Sequence, residues 1–177
     1  MSSLVMALVS VMVILAAIAG LASGFTGPQA QVGETVKESG KLYGAISRTE
    51  LTSLGVSVIS AGATVDWSVA NSGQTQLRLY ENWDLVIVYQ DSPGAGLQAQ
   101  RLTYTTSASP AAGEWTVTGV YTDAGTLTGE VFNPGIVDPG EEFIIRAQLS
   151  PAISTPTTNT VTLAVENGVT VSAQFGN

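Results

Sequence analysis

The chain has 177 residues and a mass of 18.2 kDa; 45% of its residues are hydrophobic, 11% are charged, and its formal net charge is −8. It contains no cysteine and no histidine, which excludes disulfide scaffolds, thiolate metal sites and the most common general base of hydrolases. With six Lys and Arg residues in an acidic chain, it lacks the basic surface on which nucleic-acid binding depends. We therefore expect no nucleic-acid partner.

Charge is unevenly distributed along the chain. No charged residue precedes Glu34, and the stretch from Glu34 to Glu50 holds three acidic and three basic residues. The other eleven acidic and three basic residues follow position 50, so this later part carries the whole net charge. The sequence therefore predicts an apolar N-terminal part and an acidic remainder.

The N-terminal part begins with an uncharged, largely apolar run from Met1 to Ala22. At about 1.5 Å per helical residue, this run is about as long as the hydrocarbon core of a bilayer is thick, which predicts a membrane-spanning helix. No Lys or Arg precedes it, unlike a secretory signal peptide or a conventional signal anchor. We expect that a basic leader has been removed in front of the hydrophobic segment.

Small residues recur at four-residue spacing in this predicted helix, at Ala16, Gly20 and Gly24. Small residues at this spacing let helix backbones approach closely in apolar surroundings, so we expect the helix to pack against copies of itself. A lone membrane anchor is the alternative. Gly24, Gly27 and Pro28 predict a kink, because proline removes a backbone donor and glycine loosens the helix.

A second helical segment is predicted after the kink. Val32, Val36, Tyr43 and Ile46 fall near one helical face, and opposite charges recur at three-residue spacing. We expect this segment to end between Leu51 and Gly55.

From there the apolar period changes to two, which predicts strands. The runs are Val56/Val58, Val65/Trp67/Val69, Leu85 to Tyr89, Trp115/Val117, Phe143/Ile145/Ala147/Leu149, Val161/Leu163/Val165 and Val169/Val171/Ala173/Phe175. Turn residues separate them, and Asn167-Gly168 is a preferred hairpin turn. We expect Trp67, Trp83 and Trp115 to fill the core without an inter-sheet disulfide.

The predicted fold class is therefore α+β. A long N-terminal hydrophobic α-helix over residues 1–52, kinked near residues 24–28, precedes an all-β immunoglobulin-like antiparallel sandwich over residues 53–177.

The sequence offers little for catalysis. Asp138-Pro-Gly-Glu-Glu142 is the one acidic cluster. Its oxygens suit Ca²⁺, but a turn that leads into a strand is the simpler interpretation. No Ser or Thr has a visible base partner, and no phosphate-binding glycine motif is present. We predict a non-enzyme with no catalytic, cofactor-binding or metal site.

An apolar N-terminus, a long helix and a β-rich head together resemble the type IV filament superfamily. Val69-Ala-Asn-Ser-Gly73, Asn133-Pro-Gly135 and Asp138-Pro-Gly-Glu141 make the head similar to archaellins, the filament subunits of the archaeal swimming organelle. Bacterial type IV pilins typically carry glutamate at the fifth mature position, where this chain has Val5. The archaellin-like interpretation is therefore ahead of the bacterial one.

The resemblance implies a class III signal peptide, removal of the leader by a peptidase, and a membrane-held subunit. An assembly platform and a secretion ATPase would then draw it into an extracellular helical homopolymer that serves swimming. The helix-packing residues implied for the filament core are Leu4, Val5, Leu8, Val11, Ile14, Leu15, Ala16, Ile18, Gly20 and Gly24. Two alternatives stay open: a subunit of a non-rotating adhesive pilus, and a membrane-anchored accessory or stator protein of the archaellum.

Overall fold

The computed structural model describes Met12, residues 36–91 and residues 96–176. The chain divides into two compact units, Met1–Gly44 and Ala45–Asn177. A short α-helix, α1, covers residues 36–48. Within the part of the chain that the structure describes, no helix has both the length and the apolarity needed to cross a bilayer.

Nine strands follow α1 within the described residues. They are β1 (Leu51–Ile59), β2 (Thr64–Asn71), β3 (Asp84–Gln90), β4 (Leu97–Tyr104), β5 (Glu114–Asp123), β6 (Thr128–Gly129), β7 (Glu142–Gln148), β8 (Thr158–Ala164) and β9 (Thr170–Gly176). Single turns of 3₁₀-helix lie at Ser60–Gly62 and Tyr80–Asn82.

The strands form two layers that are joined along one side. The order is β1-β2-β7-β5-β4-β3-β8-β9, with β6 beside β5. Each of these pairings is antiparallel except that of β4 with β5, which is parallel and covers two residue pairs, Thr103↔Glu114 and Tyr104↔Trp115. This short contact bridges the two layers, and β1 lies close to β9 on the other side. The result is a nearly closed sandwich.

Alternating side chains of β2, β3, β7 and β8 point inward and form the core. The three tryptophans lie in it as predicted, with Trp67, Trp83 and Trp115 almost fully buried. Trp83 stacks on Trp115 with ring centroids 6.5 Å apart and meets Phe143 edge-on at 5.5 Å. The indole N–H of Trp67 donates to the Ser53 hydroxyl at 2.9 Å, so its polar atom is satisfied although the ring is buried.

The predicted fold class is wrong. The described residues are mostly β, and residues 36–91 and 96–176 contain one short α-helix instead of a long hydrophobic one. The predicted helical segment ends at residue 48, because the chain from Leu51 onward pairs with β2 in the register Leu51↔Asn71. Strand pairing thus overrides a weak helical pattern that glycines already interrupted. The sandwich also contains a parallel contact where only antiparallel pairing was expected.

Strand β4 is not predicted by the sequence pattern. Its inward positions are Gln98, Gln100, Leu102 and Tyr104, so the first half of the strand presents amides where a period-two pattern requires apolar residues. The Gln98 amide donates to the Asp91 carboxylate at 3.0 Å, which stabilises a polar side chain at that position.

Candidate interaction site

The clearest constellation of polar contacts lies where the chain enters β1; we call this region the junction end. It comprises residues 45–50, the connection that follows β2, the Asp138–Glu141 turn and the β8–β9 turn. The three sequence motifs that resemble archaellins all lie in it or beside it. They stand far apart in the sequence, and the fold brings them together.

Asn71 is the centre of this region. It is fully buried, and its side-chain amide donates to the backbone carbonyls of Thr75 at 2.8 Å and Val137 at 3.1 Å. Its own backbone N–H donates to the Glu141 carbonyl, and its carbonyl accepts from the Gly140 N–H, both at 2.8 Å. One asparagine therefore joins the loop after β2 to the turn before β7.

Gly73 holds the chain that leads into β1. Its N–H donates to the Glu50 carbonyl at 3.1 Å, and the Gln74 N–H donates to the Arg48 carbonyl at 2.7 Å. A Cβ atom on Gly73 would lie 2.4 Å from the Glu50 backbone nitrogen and 2.6 Å from the Arg48 carbonyl oxygen. Only glycine allows this close approach.

Thr49 completes the attachment. Its hydroxyl donates to the Ala45 carbonyl at 2.8 Å and accepts from the Asn167 side-chain amide at 2.7 Å. Asn167 belongs to the predicted hairpin turn, which does join β8 to β9. Residues 45–50 are thus fixed to two separate connections of the sandwich.

Three carboxylates meet beside these contacts. Glu130, Asp138 and Glu141 each place an oxygen within 4.8 Å of the others. Asp138 accepts from the Gln76 amide at 2.6 Å and from the Asn133 amide at 3.0 Å, and Glu141 accepts from the Asp138 N–H at 2.7 Å. These bonds close the Asp-Pro-Gly-Glu turn in front of β7, in line with the simpler interpretation.

Glu130 is different because one of its carboxylate oxygens, Oε1, is buried and has no hydrogen-bond partner among the described residues. Desolvation, followed by the charges of Glu141 and Asp138, raises the pKa of Glu130 above its ordinary value. No sequence pattern pointed to this contact, since Glu130 lies outside the Asp138–Glu142 run. The three acids are a cluster of oxygens that suits a cation, but the bonds within it are those of a structural turn.

The segment before this turn exposes large apolar side chains. Leu127, Val131 and Phe132 lie in the connection between β5 and β7 and are mostly exposed. A signal for this loop was available in the sequence, because three bulky apolar residues stand in a stretch rich in Thr, Gly and Pro that fits neither helix nor strand period.

The predicted filament-core residues, Leu4 to Gly24, and the predicted kink at Gly24, Gly27 and Pro28 lie outside the described residues. Their packing therefore stays a prediction.

No family model matches the chain, and no curated protein sequence does. Several solved structures do match it. The archaellum periplasmic stator protein FlaG from Sulfolobus acidocaldarius is 24% identical, with a TM-score of 0.51, over 72% of this chain and 99% of that chain. The archaeal flagellum of Methanospirillum hungatei strain JF1 is 11% identical, with a TM-score of 0.51, over 94% of this chain and 90% of that chain. At these identities the likeness establishes a shared fold.

Proposed function

We propose that the chain is a non-enzymatic structural component of an archaellum-type surface machine, of the accessory or stator kind. The observation that carries the proposal is the match to FlaG, in which a sandwich covering 72% of this chain accounts for 99% of that one. This favours the accessory alternative over the filament subunit that the sequence suggested first.

The junction end supports a mechanical role. Residues 45–50 are bonded to the loop after β2 through Gly73 and Gln74, and to the β8–β9 turn through Asn167. A pull on this segment is therefore shared between both layers of the sandwich. Such an attachment suits a protein that holds position under load, because several bonds must break together.

A filament subunit is the second candidate. The match to the Methanospirillum filament extends over 94% of this chain, which includes more than the sandwich. On this alternative the N-terminal segment packs in a filament core through Leu4 to Gly24. An adhesive pilus subunit shares this architecture and differs in lacking a role in swimming.

On both candidates the chain works at the cell surface, with a membrane-held precursor or anchor and other archaellum proteins as partners. Leader removal, an assembly platform and a secretion ATPase belong to this proposal.

A deletion strain tests the proposal. Loss of swimming while surface filaments still form supports the accessory role. Loss of the filaments themselves, with this chain as their main component, supports the filament subunit. Normal swimming contradicts both, and if surface attachment is lost it supports the adhesive pilus.

A further inference from the structure

The apolar loop, defined as residues 127–132, is held in shape while its side chains face solvent. Leu127, Val131 and Phe132 are 62%, 77% and 78% exposed. The loop is tied to the sandwich by the Glu130 N–H, which donates to the Val120 carbonyl at 3.1 Å. Leu127 has a φ of +54°, which is unfavourable for a leucine and persists only where the surroundings enforce it.

A gap in the sheet lies beside the loop. β5 pairs with β4 at Glu114 and Trp115 and with β6 at Tyr121 and Asp123, but no strand of the described residues pairs with the part between them on that side.

A groove of about 310 Å³ occupies this gap, and Val117, Val120, Tyr80 and Glu130 are among its lining residues. Two buried atoms at this groove, the Tyr80 hydroxyl and Glu130 Oε1, have no hydrogen-bond partner in the described part of the chain. The surface is thus apolar on one side and acidic on the other.

The helix α1 has a complementary face. At about 100° per residue, Gly40 and Gly44 lie at the middle of one face, with Val36 and Tyr43 on one side of them. The three basic residues of the helix lie on the other side: Lys37, Lys41 and Arg48.

This face of α1 is not covered by any of the residues that the structure describes. Val36 and Tyr43 are 65% and 72% exposed, and a Cβ on Gly40 or Gly44 would meet no described atom within 4 Å. A helix of this length is marginal in water unless its apolar side is buried, which points to a partner that covers it.

We propose that the apolar loop and the adjoining groove of one copy dock α1 of a second copy, with Val36 and Tyr43 against Val131 and Phe132 and the lysines beside Glu130. Apolar surface meets apolar surface, and the basic side of the helix meets the acidic side of the groove. The Gly40 and Gly44 positions let the helix backbone approach the loop closely.

Because a loop surface meets a helix surface, this contact is heterologous and propagates from copy to copy. The inference rests on the proposed structural role, but it holds for either an accessory assembly or a filament.

The test uses two full-length variants in detergent, Glu130→Arg and Lys41→Glu, with association measured by sedimentation velocity. Each variant alone places like charges against each other, so we expect its association constant to fall about tenfold.

An equimolar mixture of the two variants restores opposite charges at every contact. The loop of the Glu130→Arg variant can meet the helix of the Lys41→Glu variant, and the unchanged Glu130 of the second variant can meet the unchanged Lys41 of the first. The mixture should recover association to within about threefold of wild type. This recovery cannot arise if the contact forms within one copy.

Matched controls separate the loop from general surface effects. Phe132→Ser should weaken association about 30-fold, because aromatic anchors dominate interface energies. Leu97→Ser, at a leucine that is 77% exposed outside the loop, should leave it unchanged, as should Glu81→Arg at another exposed carboxylate. Circular dichroism of each variant checks that it is folded.

The proposal is overturned if the mixture associates no better than its components, or if Phe132→Ser and Leu97→Ser behave alike. Neither result bears on the proposed function, which the swimming phenotype of the deletion strain tests separately.

Discussion

Replacing Gly73 by alanine should detach the segment that leads into β1. The added methyl group would lie 2.4 Å from the Glu50 nitrogen and 2.6 Å from the Arg48 oxygen, both backbone atoms that cannot rotate away. Relief requires the loop to move and lengthens two hydrogen bonds, Gly73 N–H to Glu50 and Gln74 N–H to Arg48. At about 1 kcal/mol for each bond plus about 1–2 kcal/mol for the strain, we expect a loss of roughly 3–4 kcal/mol in the free energy of unfolding.

Urea denaturation followed by tryptophan fluorescence measures this loss, since three tryptophans report on the sandwich. A loss of this size lowers the thermal midpoint by roughly 10 °C or more in a domain of this length. Gly55→Ala is the matched control, because a Cβ on Gly55 meets no described atom within 4 Å, and it should change stability by less than about 0.5 kcal/mol. If Gly73→Ala unfolds at the same urea concentration as Gly55→Ala, the close approach at this position has been misjudged.

Three further predictions concern the same sandwich. Asn71→Asp should destabilise it by about 2–4 kcal/mol in urea denaturation at pH 7, because a carboxylate has no donor for the Thr75 and Val137 carbonyls; equal stability would exclude the central role of Asn71. Glu130→Gln should raise the thermal midpoint at pH 7. The raised pKa of Glu130 means that its ionised form disfavours the folded state, so the gain should shrink as pH falls towards about 4 and below, where wild-type Glu130 becomes protonated in both states; a gain that does not depend on pH would contradict this cause. Ile145→Ala, at a core residue that is 1% exposed, should cost about 2–5 kcal/mol, and a cost below about 1 kcal/mol would place the core elsewhere.

The strands with clean alternation could be predicted from the sequence. β2, β7 and β8 are recognisable because apolar residues stand at every second position and each strand is covered by a neighbour. β4 is not, since Gln98 and Gln100 occupy inward positions and are tolerated through contacts with distant parts of the chain.

The boundary between helix and strand was also beyond the sequence. The residues around Leu51 have no strong preference, and their pairing with Asn71 and its neighbours decides their conformation. Local propensity loses to a contact made 20 residues away.

The candidate site was predictable in part. The motifs around Asn71 and Asp138 were visible as turn chemistry, but their meeting depends on the order of the strands. Glu130 carried no signal, because its partners are 8 and 11 residues further along the chain. The exposed loop at Leu127 to Phe132 was visible only as an apolar stretch that fitted no element.

The central claim is that this chain is a structural archaellum component of the accessory kind. The most direct measurement is quantitative mass spectrometry of sheared surface filaments and of the remaining cell envelopes, combined with swimming of the deletion strain. The account predicts that the chain stays with the envelopes, and that its deletion abolishes swimming while filaments still form. Recovery of the chain as the main protein of the sheared filaments would contradict the accessory role, and unimpaired swimming without it would contradict the whole account.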